Sequence, residues 1–167
     1  MNTKILYIYS LLTNFLPETR CFELKCLILR FAGVEIDRNV RICSSVKIIG
    51  DGCLIIGGNT WIGPNTMISV TKPAKVFIGS NVDIAPNVYL GTGSHFIDVY
   101  GENSAGKGYN ESIVIQSGVW IGVGAIILPG VNIGRKAVVA GGCMVNKDVD
   151  SYSLIGGVPG KIIRKLK

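Results

Sequence analysis

The stretch from Ile115 to Lys147 reads IQSGVWIGVGAIILPGVNIGRKAVVAGGCMVNK, and an aliphatic residue returns in it at every sixth position. The residues of this column are Ile115, Ile121, Ile127, Ile133, Val139 and Val145. A period of six matches neither the 3.6-residue period of a helix nor the two-residue alternation of a sandwich strand. A fixed short repeat is typical of a solenoid, in which each repeat buries its apolar residue against its neighbours.

The same repeat extends towards the N-terminus with interruptions. Fifteen hexads begin at Ile36, Ile42, Ile49, Ile56, Ile62, Ile68, Ile78, Ile84, Leu90, Ile115, Ile121, Ile127, Ile133, Val139 and Val145. The register slips by one residue before Ile49 and again after it, slips further between Ile68 and Ile78, and breaks after Leu90.

Two further columns follow rules that the first column does not impose. Eleven of the fifteen fourth positions are Asn or Gly, which tolerate the left-handed backbone of a tight turn. Fourteen of the fifteen fifth positions are small or β-branched, Lys72 being the exception. Each hexad is therefore a short strand followed by a turn, with position 1 and position 5 directed inwards.

Three hexads close one triangular coil of roughly 18 residues, and coils stack about 4.8 Å apart. The sequence predicts an all-β chain, a parallel β-helix of about five coils over residues 34–155. Residues 1–33 lack the hexad and carry two helix-like apolar stretches around Pro17, so they predict a helical cap over the open strand edge. The basic residues 156–167 predict a short C-terminal cap.

A second interpretation of the N-terminal segment is attachment to a membrane surface. Its basic residues Lys4, Arg20, Lys25 and Arg30 accompany apolar residues, as in helices that lie in the headgroup region. The net charge of +6 fits a membrane, a nucleic acid or a polyphosphate cofactor equally well.

The cysteine and histidine content bears on metals and on compartment. Five cysteines without a CxxC pair, beside a single histidine, form no zinc set, so no metal is expected. The start of the chain has no signal-peptide cleavage site, and its apolar run is too short to span a bilayer. These features predict a cytoplasmic protein, peripheral to the inner face of the membrane if the cap binds lipid.

His95 is the candidate catalytic residue. It is position 6 of the Leu90 hexad, where it should point away from the coil beside an inward Ser94. Residues 96–114 then leave the repeat as a loop rich in Gly, Asn and Ser, and long loops in compact domains are usually functional. A neutral imidazole under such a loop is placed to accept a proton from a hydroxyl.

The hexads, together with GVWIG at residues 118–122 and GGVPGK at residues 156–161, resemble the left-handed β-helix acyltransferases. The similarity covers about residues 34–167 and is sharpest towards the maltose, galactoside and exopolysaccharide or capsule O-acetyltransferases. The left hand comes from this resemblance. The γ-class carbonic anhydrases share the hexad but need three histidines, and the serine acetyltransferases carry a long helical domain for which residues 1–33 leave no room.

The resemblance implies acetyl-CoA as co-substrate and a saccharide, rather than a nucleic acid, as acceptor. His95, in Gly93-Ser94-His95, occupies the place of the family's general base, and Asn65 matches an asparagine that binds the acceptor. Asp98, three residues after His95, is a candidate to orient the imidazole or to hold a sugar hydroxyl. Asn65 is also a turn residue of its hexad, and Asp98 fits a solvated loop position equally well. The donor would bind residues matched to the family's pantetheine and phosphate contacts: Trp120, Val123, Gly141, Gly142, Lys147, Lys161 and Arg164.

Family members assemble as trimers with active sites between subunits, so we expect a homotrimer. The outward residues Trp61, Met67, Tyr89 and Trp120 would lie at its contacts. Two other functions stay open at this point. One is N-acetylation of an amino sugar or nucleotide sugar with the same histidine; the other is a β-helix scaffold that binds an acidic partner.

Overall fold

The computed structural model describes residues 1–167, which form a parallel β-helix with three flat faces between two caps. Face A contains β1 (Glu35–Ile36), β4 (Cys53–Ile56), β7 (Lys75–Ile78), β12 (Ile113–Ile115) and β15 (Asn132–Ile133). Face B contains β2 (Arg41–Ile42), β5 (Trp61–Ile62), β8 (Asp83–Ile84), β13 (Trp120–Ile121), β16 (Val138–Val139), β18 (Ser153–Gly156) and β19 (Lys161–Lys165). Face C contains β3 (Lys47–Ile49), β6 (Met67–Ser69), β9 (Tyr89–Gly91), β14 (Ile126–Ile127) and β17 (Met144–Val145). One strand from each face makes a coil, so the predicted β-helix of five coils is confirmed.

The inward column of the repeat is a continuous stack of aliphatic side chains. On face B, Ile42, Ile62, Ile84, Ile121 and Val139 pair in register from coil to coil, and each is fully buried. A strand of two residues cannot persist alone, whereas burying each of these side chains contributes about 1.5–3 kcal/mol. The coils are therefore stable only as a stack, as the sequence predicted.

The turn column also behaves as predicted, except at Gly52 and Gly93, whose φ is not positive. Asn39, Asn59, Asn65, Asn81, Asn87, Gly118, Gly124, Gly130, Lys136 and Gly142 all have positive φ. Asn81, for example, has φ 56° and Gly124 has φ 68°. The hexads bend because Asn and Gly enter this backbone region at little cost.

The irregular hexads all fall at one corner of the prism, where the chain leaves face C and enters face A of the next coil. We call this the C–A corner. Residues 50–52 are inserted there after coil 1, residues 70–74 after coil 2, and a long excursion after coil 3. Three predicted inward residues lie at this corner and are not buried: Cys53, Lys72 and Ser94. Ile49 was also misassigned, because it is 47% exposed and Ile48 fills the core instead.

The excursion after coil 3 is a β-hairpin and not an irregular loop. Its strands are β10 (Gly93–Ile97) and β11 (Ala105–Asn110), paired antiparallel with a bulge between His95 and Ile97. The chain has returned to the coil by Ile113, which is fully buried in β12. The boundaries 96–114 of the predicted loop were therefore wrong at both ends, because the hairpin begins at Gly93 and the coil resumes at Ile113.

Two helices cover the first coil, as expected from the apolar stretches around Pro17. Helix α1 (Thr3–Thr13) begins at Asn2, whose side-chain oxygen accepts hydrogen bonds from the Lys4 and Ile5 amides, and α2 (Phe22–Phe31) follows. Their inner sides, including Leu6, Tyr9, Cys26 and Leu29, join the core of the β-helix. Neither helix is long or apolar enough to cross a membrane.

Lys25 differs from the prediction of a surface cation, because its side chain is fully buried beneath α2. Its Nζ donates hydrogen bonds to the Glu18 carbonyl at 3.2 Å and to Ser44 Oγ at 3.1 Å. Nζ also lies 4.8 Å from the centre of the Phe22 ring. The ammonium is satisfied internally and ties the helical cap to coil 1, although burial lowers the pKa of Lys25.

At the opposite end, residues 161–165 fold back as β19 and pair antiparallel with β18. This strand covers the edge of face B. Lys165 forms an ion pair with Asp150 at 2.5 Å, and Lys167 Nζ lies 4.6 Å from the centre of the Tyr152 ring.

Candidate functional site

The hairpin that carries His95 is fixed to the prism at its neck. The Glu111 amide donates to the Thr92 carbonyl at 2.8 Å, which joins the two ends of the excursion. Thr92 is fully buried, and its Oγ1 donates to the Ser69 carbonyl and accepts from the Thr71 amide. The first hairpin residues are therefore positioned by coils 2 and 3.

The sequence predicted that His95 would point outward from the wall of the prism. It lies instead in β10, on the hairpin. Its Nδ1 is 2.8 Å from the carbonyl oxygen of Gly106 on the paired strand. A carbonyl can only accept a hydrogen bond, so Nδ1 carries the proton. In the neutral ring Nε2 is then an unprotonated acceptor, and the side chain is exposed to solvent. This arrangement suits a general base.

The residues around His95 keep the ring accessible. Gly108 is its partner across the strand pair, and a Cβ built there would lie 3.7 Å from His95 Cε1. That separation is an ordinary van der Waals contact, so the paired strand does not crowd the imidazole. Phe96 and Tyr109 pack against one another with ring centres 4.7 Å apart, which ties the two strands together next to His95.

Asp98 shapes the hairpin tip. Its Oδ1 accepts hydrogen bonds from the Tyr100 and Gly101 amides, each at 2.9 Å. These two bonds hold the pKa of Asp98 below its usual range. The imidazole of His95 is oriented by the Gly106 carbonyl and makes no hydrogen bond to Asp98. Asp98 therefore does not orient the imidazole, and its second oxygen makes no hydrogen bond within the chain.

Asn65 lies at a different edge of the molecule. It occupies the corner where the chain passes from face B to face C, which we call the B–C corner, with φ 57°. Its amide N–H donates to Ser45 Oγ at 2.8 Å, while its side-chain amide is exposed at a groove of about 660 Å³ beside α1. His95 follows the C–A corner, so face C separates these two residues within one chain.

The predicted donor residues are partly brought together at the B–C corner of coils 4 and 5. Val123 and Gly142 are linked by a hydrogen bond from the Gly142 amide to the Val123 carbonyl at 2.8 Å. The amides of Val123 and Gly141 donate to no group of the chain, so both are free to bind a ligand. Trp120 precedes this corner on face B and is 57% exposed.

The basic residues assigned to the donor are more scattered. Lys161 and Arg164 lie on β19, at the edge of face B, and both are exposed. Lys147 follows β17 and therefore lies at the C–A corner, away from Gly141. The described chain contains no group of three or more His, Cys, Asp or Glu side chains arranged to hold a metal ion.

Trp61 does not form the open contact surface that its outward position predicted. Its ring meets Phe22 of α2 edge to face, with centres 6.0 Å apart, and the Arg41 guanidinium lies 5.2 Å from its centre. Trp61 thus packs the helical cap onto face B.

The sequence did not predict Gly106 as a site residue. Gly106 contributes only its backbone carbonyl, which residue type does not reveal.

Known proteins share both the sequence and the fold, although no family model matches the chain. A putative acetyltransferase of Saccharomyces cerevisiae is 42% identical over 114 residues, 66% of this chain and 58% of that protein. A maltose O-acetyltransferase from Clostridium difficile superposes with a TM-score of 0.79 at 29% identity, covering 99% of this chain and 87% of that one. A hexapeptide-repeat acetyltransferase from Vibrio cholerae, solved with acetyl coenzyme A, gives a TM-score of 0.75 at 28% identity, with 99% and 87% covered.

The chain spans about half the length of the curated relatives that it matches, 58% and 45% for two of them. The structural match covers nearly all of the present chain, and a coil of opposite hand would not superpose on these proteins. The β-helix of this chain therefore has the same hand as those of the matched structures. By its six-residue repeat, its fold and its sequence similarity, the chain resembles the hexapeptide-repeat acetyltransferases.

Proposed function

We propose that this protein transfers an acetyl group from acetyl-CoA to a hydroxyl of a saccharide, with His95 as general base. One observation carries the proposal. The hydrogen bond from Nδ1 to the Gly106 carbonyl fixes the tautomer and leaves Nε2 as an exposed proton acceptor. His95 is also the only histidine in the chain.

The reaction follows from this geometry. Acetyl-CoA supplies an acetyl thioester. Nε2 of His95 removes the proton of the acceptor hydroxyl while the hydroxyl oxygen attacks the thioester carbon. A backbone N–H stabilises the oxyanion of the tetrahedral intermediate. The imidazolium then returns its proton to the departing thiolate as the C–S bond breaks, which yields an ester and free CoA.

The cysteines have no part in this direct attack. Cys26, Cys43 and Cys143 are fully buried, and burial raises the pKa of Cys26 and of Cys43 to about 11. A thiol that stays protonated and is shielded from solvent is a poor nucleophile. None of these three thiols is therefore expected to form an acyl-enzyme intermediate.

The donor would lie along the B–C corner of the last coils. The free amides of Val123 and Gly141 are one coil apart, about 4.8 Å, which suits the amide-rich pantetheine arm. Gly142 has no side chain to obstruct this path, and exposed Trp120 flanks it. The cations of Lys161 and Arg164 are proposed to contact the CoA phosphates. Lys147 lies at the other corner, so it would reach such a phosphate from a neighbouring subunit.

We further propose a homotrimer with its sites between subunits. A cyclic trimer joins two different surfaces of each chain. Face C offers an outward apolar ladder of Met67, Tyr89, Ile126 and Met144, paired in consecutive coils. Face B offers exposed Trp120. A neighbour packed on face C would approach both Asn65 and His95, which one chain alone keeps apart. Light scattering that showed only the 17.9 kDa species would contradict this assembly.

The acceptor experiment measures free CoA with a thiol reagent across mono-, oligo- and nucleotide sugars, with amino sugars included. We expect turnover with at least one neutral hydroxyl acceptor and a product ester that hydroxylamine cleaves. A hydroxylamine-stable amide on an amino sugar would replace O-acetylation by N-acetylation. Full turnover by a His95→Ala protein with every acceptor would overturn both enzymatic functions, and absence of turnover with all acceptors would favour a scaffold.

We place the protein in the cytoplasm, because all five cysteines are free. Localisation of the tagged protein in fractionated cells would test this assignment.

A further inference from the structure

The outer surface of the helical cap is apolar where a surface helix is usually polar. In α2, Leu24, Leu27 and Phe31 lie opposite the buried residues Lys25, Cys26 and Leu29, and Phe31 is 72% exposed. The two sets follow the three- and four-residue spacing of opposite helix faces. Both sides of this helix are therefore apolar, and only one of them is covered by the β-helix.

Helix α1 repeats the pattern. Leu6, Tyr9 and Thr13 face the core, while Tyr7, Ile8 and Leu11 lie on the far side and are exposed. Phe15, just after the helix, is 88% exposed. Because α1 and α2 pack on the same end of the prism, their outer sides form one surface. We call it the cap face: Tyr7, Ile8, Leu11, Leu12, Phe15, Leu24, Leu27 and Phe31. Contiguous apolar surface of this kind marks an interaction site.

Basic side chains outnumber acidic ones around the cap face, three to two. Lys4 and Arg20 are exposed, and Arg30 is held at the rim by hydrogen bonds from its guanidinium to the Ile36 and Asp37 carbonyls. The acidic residues of the cap are Glu23, which is exposed, and Glu18, whose Oε1 accepts from the Ser45 amide and hydroxyl. The rim therefore carries a surplus of free cations.

We propose that the cap face docks on an anionic lipid surface, with α1 and α2 lying in the plane of the headgroups. The helices have 11 and 10 residues, so they can lie on a bilayer but cannot cross it. A second copy of the chain is disfavoured as the occupant. A two-fold contact would bring the cationic rims of both copies together, whereas anionic headgroups neutralise them. This inference rests on the fold and is independent of acetyl transfer.

The test is flotation with liposomes of phosphatidylcholine, with and without phosphatidylserine, because flotation separates bound protein from aggregates. The cap variant combines Leu24→Gln, Leu27→Gln and Phe31→Gln. The matched control combines Ile97→Gln, Val99→Gln and Tyr100→Gln, three exposed apolar residues of the hairpin tip. Circular dichroism and light scattering verify that each variant keeps the fold and assembly of the wild type.

We expect the wild type and the hairpin control to float with phosphatidylserine liposomes, and the partition coefficient of the cap variant to fall by about tenfold or more. A second variant, Lys4→Gln with Arg20→Gln, leaves the apolar face intact and should lose the preference for anionic liposomes. Wild-type protein that stays at the bottom of the gradient, equal flotation on both lipids, or undiminished flotation of the cap variant would overturn the proposal. A doubling of the mass with concentration that the cap substitutions abolish would assign the face to a second copy instead.

Discussion

Replacing His95 by Asn separates the chemical role of the imidazole from its structural role. In the wild type, His95 Nδ1 lies 2.8 Å from the Gly106 carbonyl oxygen. The Asn amide can still donate a hydrogen bond to this carbonyl, but it has no basic nitrogen in the place of Nε2. His95→Ala removes both functions. The pair of variants therefore tests whether the base or the hydrogen bond matters for turnover.

The expected magnitudes differ widely between the two roles. Loss of a general base costs about 10²–10⁴ in rate, or about 3–5.5 kcal/mol in the activation barrier. Loss of one hydrogen bond by an exposed side chain costs about 0.5–1.5 kcal/mol of folding free energy. We expect both variants to lose turnover equally, with only His95→Ala losing stability.

The assay measures initial rates of CoA release at saturating acetyl-CoA, together with the urea midpoint of each protein. Asn103→Ala, an exposed change at the tip of the same hairpin, serves as the matched control and should keep wild-type values. A His95→Asn protein with turnover within about threefold of wild type would refute the assignment of the base. Turnover lost only in proportion to stability would refute it as well.

Three further predictions concern the core and the cap. Leu90→Ala, at a fully buried position, should lower the free energy of unfolding by about 2–5 kcal/mol in a urea titration, and Ile97→Ala by less than about 0.5 kcal/mol; equal effects would contradict the assigned core. Tyr9→Phe should stabilise the protein by about 1 kcal/mol, since the buried Tyr9 hydroxyl has no hydrogen-bond partner. Burial raises the pKa of Tyr9 above its ordinary value of 10.0, so the folded chain keeps this proton while the unfolded chain releases it. Wild-type stability should accordingly fall as the pH rises above 10.0, with a smaller fall in Tyr9→Phe, and parallel pH profiles would contradict the burial. With a thiol reagent at pH 8, exposed Cys21 should react rapidly, whereas Cys26, Cys43 and Cys143 should react only on unfolding; fast reaction of three or more thiols would contradict the burial of these cysteines.

The regular part of the fold was predictable because it is local and periodic. Asn81 and Asn87 bend the chain through their own backbone preference, and Ile84 is buried by the identical residues one coil above and below it. The C–A corner obeys no such period. Neither the exposure of Lys72 nor the half-burial of Cys53 follows from counting hexads, because inserted residues shift both away from the core.

The site was predictable only where a side chain carries the chemistry. His95 could be identified from its residue type and from the break in the repeat. Its partner, the Gly106 carbonyl, is a backbone group brought near by strand pairing across the hairpin, and pairing is not encoded in one residue. Lys25 misled the prediction for a similar reason. Lysine is rarely buried, and here the Glu18 carbonyl and Ser44 Oγ satisfy its ammonium.

Because the neck of the hairpin is closed, the length of the inserted segment does not affect how the coils of the prism stack. Strand β12 pairs with β7 in the same register as any neighbouring coils, because Thr92 and Glu111 meet at the base of the excursion. Doubling the segment beyond that junction would cost only about 0.6 kcal/mol in closure entropy. The hairpin is thus an exchangeable part. Grafting a longer or differently charged segment between Thr92 and Glu111 would change which molecules can approach the C–A corner. The stacked coils of the β-helix would stay unaltered.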